Sequence, residues 1–116
     1  MPGAVTLVMG FKNSPLVKWL EGREECGIRI PNDERLLKIL DNTGPLLVTS
    51  ANKHGMPTIP QSPTEILEQL AGTPDLVITG GRPKSVPSTI VNCRCSPPII
   101  ERSGNISLEE LEQCFS

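Results

Sequence analysis

Aromatic side chains are nearly absent: Phe11, Trp19 and Phe115 are the only three, and there is no tyrosine among 116 residues. A surface that stacks several bases on aromatic rings is thereby excluded. The core has to be built from Leu, Ile and Val. Histidine is scarce as well, with His54 alone. Four cysteines are present, Cys26, Cys93, Cys95 and Cys114, but no C-x-x-C pair, so the usual zinc spacing is missing. If extended, Cys93-x-Cys95 would put both thiols on one strand face; free thiols are the plainer reading. Charge is balanced to a net −2, which gives no global pull toward nucleic acid and leaves only a local basic patch open. No apolar run is long enough to span a bilayer and nothing resembles a leader peptide, so a cytoplasmic protein is the default expectation.

What is present is a chain of one-domain length with ordinary apolar and charged content, 37% and 21%. β-Branched and apolar residues at 4–9, 26–30, 46–49, 75–79, 88–93 and 99–102 read as strands. Residues 46–49 are continuously apolar up to Thr49, the pattern of a strand buried on both faces. Helix signals stand between them. Ser14-Pro15 opens a short helix through Val17, Trp19 and Leu20. Asn32 or Asp33 caps one carrying Leu36, Leu37 and Leu40, with Gly44-Pro45 as its stop. Ser62-Pro63-Thr64-Glu65 opens another with Ile66, Leu67 and Leu70 as its stripe. Ser107 and Glu110 form a capping box ahead of Leu108, Leu111 and Phe115. The alternation of strands and helices argues for an α/β domain.

Five polar positions fall at or beside strand ends, where α/β sheets bind ligands: Arg29, Ser50, Asn52, Ser88 and Arg102. Two guanidiniums with several hydroxyls suit an anion such as a carboxylate or phosphate. Each position also has a structural reading. Arg29 could pair with Glu24, Glu25 or Asp33; Ser50 and Asn52 could cap and turn the chain; Ser88-Thr89 could be an ordinary strand start. A serine nucleophile finds little support, since no G-x-S-x-G elbow occurs and His54 would be the only base. Gly80-Gly81 could let a phosphate approach, yet no helix start follows as in a P-loop. The acidic run at Glu109, Glu110 and Glu112 reads as a solvated helix face.

The order of motifs resembles the YrdC/Sua5 family. The carriers are Pro2-Gly3-Ala4-Val5-Thr6-Leu7, Gly27-Ile28-Arg29-Ile30-Pro31, Thr49-Ser50-Ala51-Asn52 with Gly55, Gly80-Gly81, Pro87-Ser88-Thr89-Ile90-Val91 and Arg102-Ser103-Gly104. Members are L-threonylcarbamoyladenylate synthases. They condense L-threonine, bicarbonate and ATP, releasing pyrophosphate, in the first step toward N6-threonylcarbamoyladenosine in tRNA. The resemblance implies a YrdC-like twisted mixed sheet with flanking helices. By resemblance, Arg29, Ser50 and Ser88 bind L-threonine, with Arg29 on its carboxylate. Asn52 and Arg102 bind the nucleotide, and Mg²⁺ comes with the ATP phosphates. No residue is implied as a nucleophile.

The family's threonine-x-tyrosine-glycine segment and lysine-x-arginine motif do not occur in these 116 residues. The match is therefore to the C-terminal half or more of the pattern, and residues 1–116 are expected to form a single, partial, N-terminally truncated YrdC-like domain. The isolated chain is expected to be weakly active or inactive, with a dimer or a complementing chain as partner. Glu25 stands where the family often has threonine and would repel phosphate, and Lys53-His54 replaces the usual pair before Gly55. The alternatives are a non-catalytic nucleotide- or RNA-binding module of the same fold, or a carbamoyl-transfer domain.

Overall fold

The computed structural model describes residues 2–13, 18–49, 51, 55, 62–80 and 87–115. The chain divides into two compact units, Met1–Gly44 with Val86–Ser116, and Pro45–Ser85.

The first unit holds a four-stranded mixed sheet. Its strands are β1 (Val5–Gly10), β2 (Glu25–Ile28), β3 (Thr89–Asn92) and β4 (Ile99–Arg102), in the spatial order β2-β1-β3-β4. β1 runs antiparallel to β2 and parallel to β3, and β3 runs antiparallel to β4. The parallel pair sets Val5 against Thr89 and Leu7 against Val91. Residue alternation then sorts the sheet into two faces. Val5 and Val91 are buried on one face together with Leu111 of helix α3 (Leu108–Phe115). Leu7, Cys93, Ile100 and Ile106 pack around them, half-buried. α3 starts where expected: Ser107 N–H donates to Glu110 Oε2 and Glu110 N–H to Ser107 Oγ, closing the capping box.

Helix α1 (Glu34–Thr43) begins at Asp33 rather than Asn32. Asp33 Oδ1 accepts the N–H groups of Arg35 and Leu36, both at 3.0 Å. Gly44 ends the helix at φ 74°, a left-handed conformation that a side chain would strain. Leu37 and Leu40 are half-buried and Leu36 is exposed. Of the helix expected from Ser14, a 3₁₀ turn at Lys18–Leu20 falls within the described residues, and residues 14–17 lie outside them.

The second unit has one helix among its described residues, α2 (Pro63–Gln69). Ser62 Oγ accepts the Glu65 N–H at 3.2 Å and Pro63 stands in the first turn, as the sequence predicts. Two expected strands are not formed here. Residues 46–49 and 75–79 are in no ladder among the described residues. Leu47, Val48 and Leu76 are largely exposed rather than buried on two faces. The physical reason is that a strand needs a hydrogen-bonded neighbour, and apolar composition does not supply one.

The C-x-C stretch follows the plainer of its two readings. β3 stops at Asn92, and Arg94 N–H donates to Asn92 Oδ1 at 2.9 Å. The chain turns there, so Cys93 and Cys95 do not share a strand face. All four cysteines are free thiols.

Candidate functional site

Each of the four strands has one polar residue on it or at its end, and three of these lie on the sheet face opposite the Val5–Val91–Leu111 core. On β1 this is Thr6. Its Oγ1 lies 2.9 Å from the hydroxyl of Ser88, which immediately precedes β3. On β4 it is Arg102, in register with Ile90 and therefore on the Ser88 side of β3. Arg102 donates from Nε and Nη2 to the Ser88 carbonyl at 3.3 and 2.9 Å, and from Nη2 to Ser88 Oγ at 3.4 Å. The fourth is Arg29, directly after β2. Gly27 on β2 faces the Thr6 side chain, with Thr6 Cγ2 3.2 Å from where a Cβ would stand. β2 ends at Ile28, paired with Leu7, and beyond it the Gly3 N–H donates to the Ile30 carbonyl at 2.9 Å, two residues out of the ladder's register, so Arg29 stands just past the paired end of β2.

The alternative partners for Arg29 are taken by other cations. Glu25 pairs with Arg94 Nη1, Glu24 lies 3.8 Å from Arg94 Nη2, and Asp33 lies 3.8 Å from Arg35. Among the described residues Arg29 makes no ion pair and is exposed. Glu25, expected to repel phosphate, is neutralised by Arg94. The same contact holds the Arg94 guanidinium even more firmly protonated than usual, mainly through the Glu25 hydrogen bond.

Ser88 is fixed from behind by Thr89, which is fully buried. Thr89 Oγ1 donates to the Ile106 carbonyl at 2.8 Å and accepts N–H bonds from Gly104 and Ile106 at 3.1 and 3.2 Å. This clamp draws the β4–α3 turn onto the start of β3. At Gly104 the approach is so close that a Cβ would stand 2.3 Å from the Pro87 carbonyl oxygen. Glycine is required here by contact, not by turn geometry. Thr89 thus points to the core side and Ser88, itself buried, to the opposite face, where it meets Thr6 and Arg102. The strand-start reading and the site reading apply to adjacent hydroxyls.

Ser88 and Arg102 are therefore on one sheet face together with Thr6, which sequence reasoning missed, and Arg29 stands exposed just past the end of the neighbouring strand β2. The signal for Thr6 is its place three residues after Gly3 in the Pro-Gly motif, on the strand beside β3. Ser50 and Asn52 lie outside the described residues. Ala51 between them is described, and it has φ 53°, a left-handed conformation unusual for a residue with a Cβ. With two guanidiniums and two hydroxyls, the described donor set fits an anionic ligand. The described part of Arg102 leaves Nη1 without a protein partner.

With this geometry in view, comparison with known proteins gives a consistent result. The Sua5/YciO/YrdC family model, described as telomere recombination, matches residues 1–104. The chain belongs to that family. It is 31% identical over 114 residues to the threonylcarbamoyl-AMP synthase of Pyrococcus abyssi, covering 97% of this chain and 33% of that protein. It is 35% identical over 101 residues to the threonylcarbamoyl-AMP synthase of Schizosaccharomyces pombe, covering 85% and 24%. The solved structure of P. abyssi Sua5 complexed with L-threonine superposes with a TM-score of 0.78 at 30% identity, over 97% of this chain and 33% of that one. The solved structure of Escherichia coli YciO superposes with a TM-score of 0.76 at 26% identity, over 95% and 54%. The fold is α/β and YrdC-like, as expected. The chain spans a quarter to a third of the two synthases' length and about half of YciO. No helix among the described residues is long and apolar enough to cross a membrane.

Proposed function

We propose that this chain carries the threonine- and nucleotide-binding sheet face of an L-threonylcarbamoyladenylate synthase. The reaction it serves is the condensation of L-threonine, bicarbonate and ATP with release of pyrophosphate, toward N6-threonylcarbamoyladenosine in tRNA. The observation that carries this reading is the cluster of Thr6, Ser88 and Arg102 on one face of the sheet, with Arg29 exposed just past the end of β2. It is joined by the family membership and by the likeness to a Sua5 structure that holds L-threonine.

Arg29 is the group for the threonine carboxylate: it is exposed and its acidic neighbours are engaged elsewhere. Ser88, together with Ser50, contacts the amino acid. Arg102, through its free Nη1, and Asn52 contact the nucleotide. The chemistry asked of these groups is positioning and charge neutralisation, with no covalent intermediate on the protein. A Mg²⁺ ion enters with the phosphates of ATP; the cationic and hydroxyl groups of the described face suit the anions, not the metal.

Two measurements test the reading. Calorimetric titration of the 116-residue chain with L-threonine and with ATP is expected to show binding of both. Pyrophosphate release with all three substrates is expected to be weak or absent for the chain alone. Binding of neither ligand would remove the proposal. Binding of nucleotide without threonine would move the reading to a non-catalytic nucleotide- or RNA-binding module of the same fold. Robust turnover would show that the family's threonine-x-tyrosine-glycine segment and lysine-x-arginine motif are not needed.

A further inference from the structure

We infer that Thr6 is a positioning residue for amino-acid recognition, holding the Ser88 hydroxyl so that the two together offer one proton to a bound acceptor. This rests on the proposed threonine site and gives Thr6 a role that reading does not assign to it.

The argument is a proton count. A serine or threonine hydroxyl has one donor and two acceptor positions. Arg102 Nη2 can only donate, so Ser88 Oγ accepts from it. Thr6 Oγ1 and Ser88 Oγ lie 2.9 Å apart and share one proton, which either could supply. If Thr6 donates, Ser88 has both acceptor positions filled and its own proton left over. If Ser88 donates, the Thr6 proton is left over. Among the described residues neither hydroxyl side chain has a further partner. In both arrangements the pair keeps one donor without a partner among the described residues, beside the Arg102 guanidinium. Ser88 alone could spin its hydroxyl; tied to Thr6 from one side and Arg102 from the other, it has a fixed place.

Thr6 belongs to β1 and Ser88 to the far end of the chain, 82 residues away. Ser88 is buried, and Thr6 is half-buried on the face away from Val5 and Val91 and outside the apolar cluster. A change at Thr6 therefore acts on the hydroxyl pair before it acts on folding.

The test is L-threonine affinity by calorimetry for the unsubstituted chain, Thr6→Val, Thr6→Ser, Ser88→Ala and the Thr6→Val/Ser88→Ala double variant, each with a thermal melt by circular dichroism. Thr6→Val is expected to weaken threonine binding by about three- to tenfold, the loss of one hydrogen bond. Thr6→Ser, which keeps the hydroxyl, is expected to restore affinity to within about twofold of the unsubstituted chain on the same grounds. The double variant is expected to bind no worse than Ser88→Ala, because the two hydroxyls act as one unit. Unchanged affinity in Thr6→Val, failure of Thr6→Ser to restore it, or additive losses in the double variant would each overturn the inference. If the unsubstituted chain does not bind threonine, the functional reading itself falls and the inference goes with it; that result is seen before any substitution is made.

Discussion

Val91 and Val48 are the same side chain in the same kind of apolar run, one in each compact unit. Val91 is 1% exposed and sits in β3, which is paired on one side to β1 and on the other to β4. Val48 is 81% exposed in a stretch with no ladder partner among the described residues. Local composition does not separate them. What separates them is that three other segments of the first unit close around β3: β1, β4 and α3. Each satisfies backbone groups or covers apolar surface that the strand cannot manage by itself. In the second unit Leu46, Leu47 and Val48, and likewise Leu76, Val77 and Ile78, keep their apolar side chains in water. Such runs, uncharged and rich in β-formers, are the kind that accept a neighbouring strand.

The widest separation between the two valines comes from a charge. Val91→Asp would bury a carboxylate with no partner and should cost more than about 4 kcal/mol, enough to unfold a marginal domain. Val48→Asp should change stability by less than about 0.5 kcal/mol in the same chain. Urea titration followed by circular dichroism measures both. Equal losses would break the comparison and show that residues 46–49 are covered in solution.

Threonines sharpen the same contrast. Thr89→Val would strip the Gly104 and Ile106 N–H groups and the Ile106 carbonyl of their shared partner. Two donors and one acceptor left short inside the fold should cost about 2–4 kcal/mol. Thr49→Val, on exposed backbone, should be neutral within about 0.5 kcal/mol. A near-neutral Thr89→Val, in the same urea titration, would mean that the β4–α3 turn does not depend on the clamp.

Glycines give the next step down. A Cβ at Gly104 meets backbone at 2.3 to 2.5 Å, from Pro87, Ser88 and Thr89, so Gly104→Ala must push the turn away from β3. The expected loss is about 1–3 kcal/mol. Gly72 in the second unit has nothing within 4 Å of its Cβ position, and its backbone is not left-handed. Gly72→Ala should be neutral or stabilising by up to about 1 kcal/mol, because it stiffens only the unfolded chain. Melting temperatures of the two variants should move in opposite directions or differ by several degrees.

These cases also show which parts of the molecule are legible in the sequence. Helix caps are: Asp33, Ser62, and Ser107 with Glu110 are signals that span four residues, and all three close as read. β1, β3 and β4 are legible from their β-branched runs. Residues 46–49 and 75–79 carry the same signal without the outcome, because pairing partners are set by the rest of the chain. Of the site, Arg29, Ser88 and Arg102 are legible as polar residues at strand ends. The contacts that define their roles are not. Thr6 meets Ser88 across 82 residues and Arg94 meets Glu25 across 69, and no local pattern marks either pair. Glu25 shows the consequence: alone in the sequence it looks like an obstacle to an anion, while in the fold its charge is spent on Arg94. Ser50 and Asn52 are outside the described residues, so their roles rest on the resemblance.

The smallest expected difference between the units lies in their helix caps, and pH exposes it. α1 is capped by a carboxylate and α2 by a hydroxyl. The Leu36 N–H, with help from the Arg35 charge and N–H, holds the Asp33 carboxyl below its ordinary value. A lowered folded-state pKa means that the ionised form stabilises α1. That contribution is complete above the unfolded-state pKa, near 4 for an aspartate, and is lost as pH falls through the lower folded-state value. Ser62 does not titrate in this range. Backbone Cα chemical shifts of residues 34–43 and 63–69, followed from pH 6 to pH 2.5, should therefore diverge. α1 should lose helical character at its first turn with a midpoint below the ordinary carboxylate range. Asp33→Asn, which keeps a capping oxygen without a charge, should remove that titration while leaving the helix at neutral pH. Ser62→Asn should leave the response of α2 to acid as it is, since neither side chain carries a charge. An α1 transition that survives Asp33→Asn would show that the effect does not come from the cap.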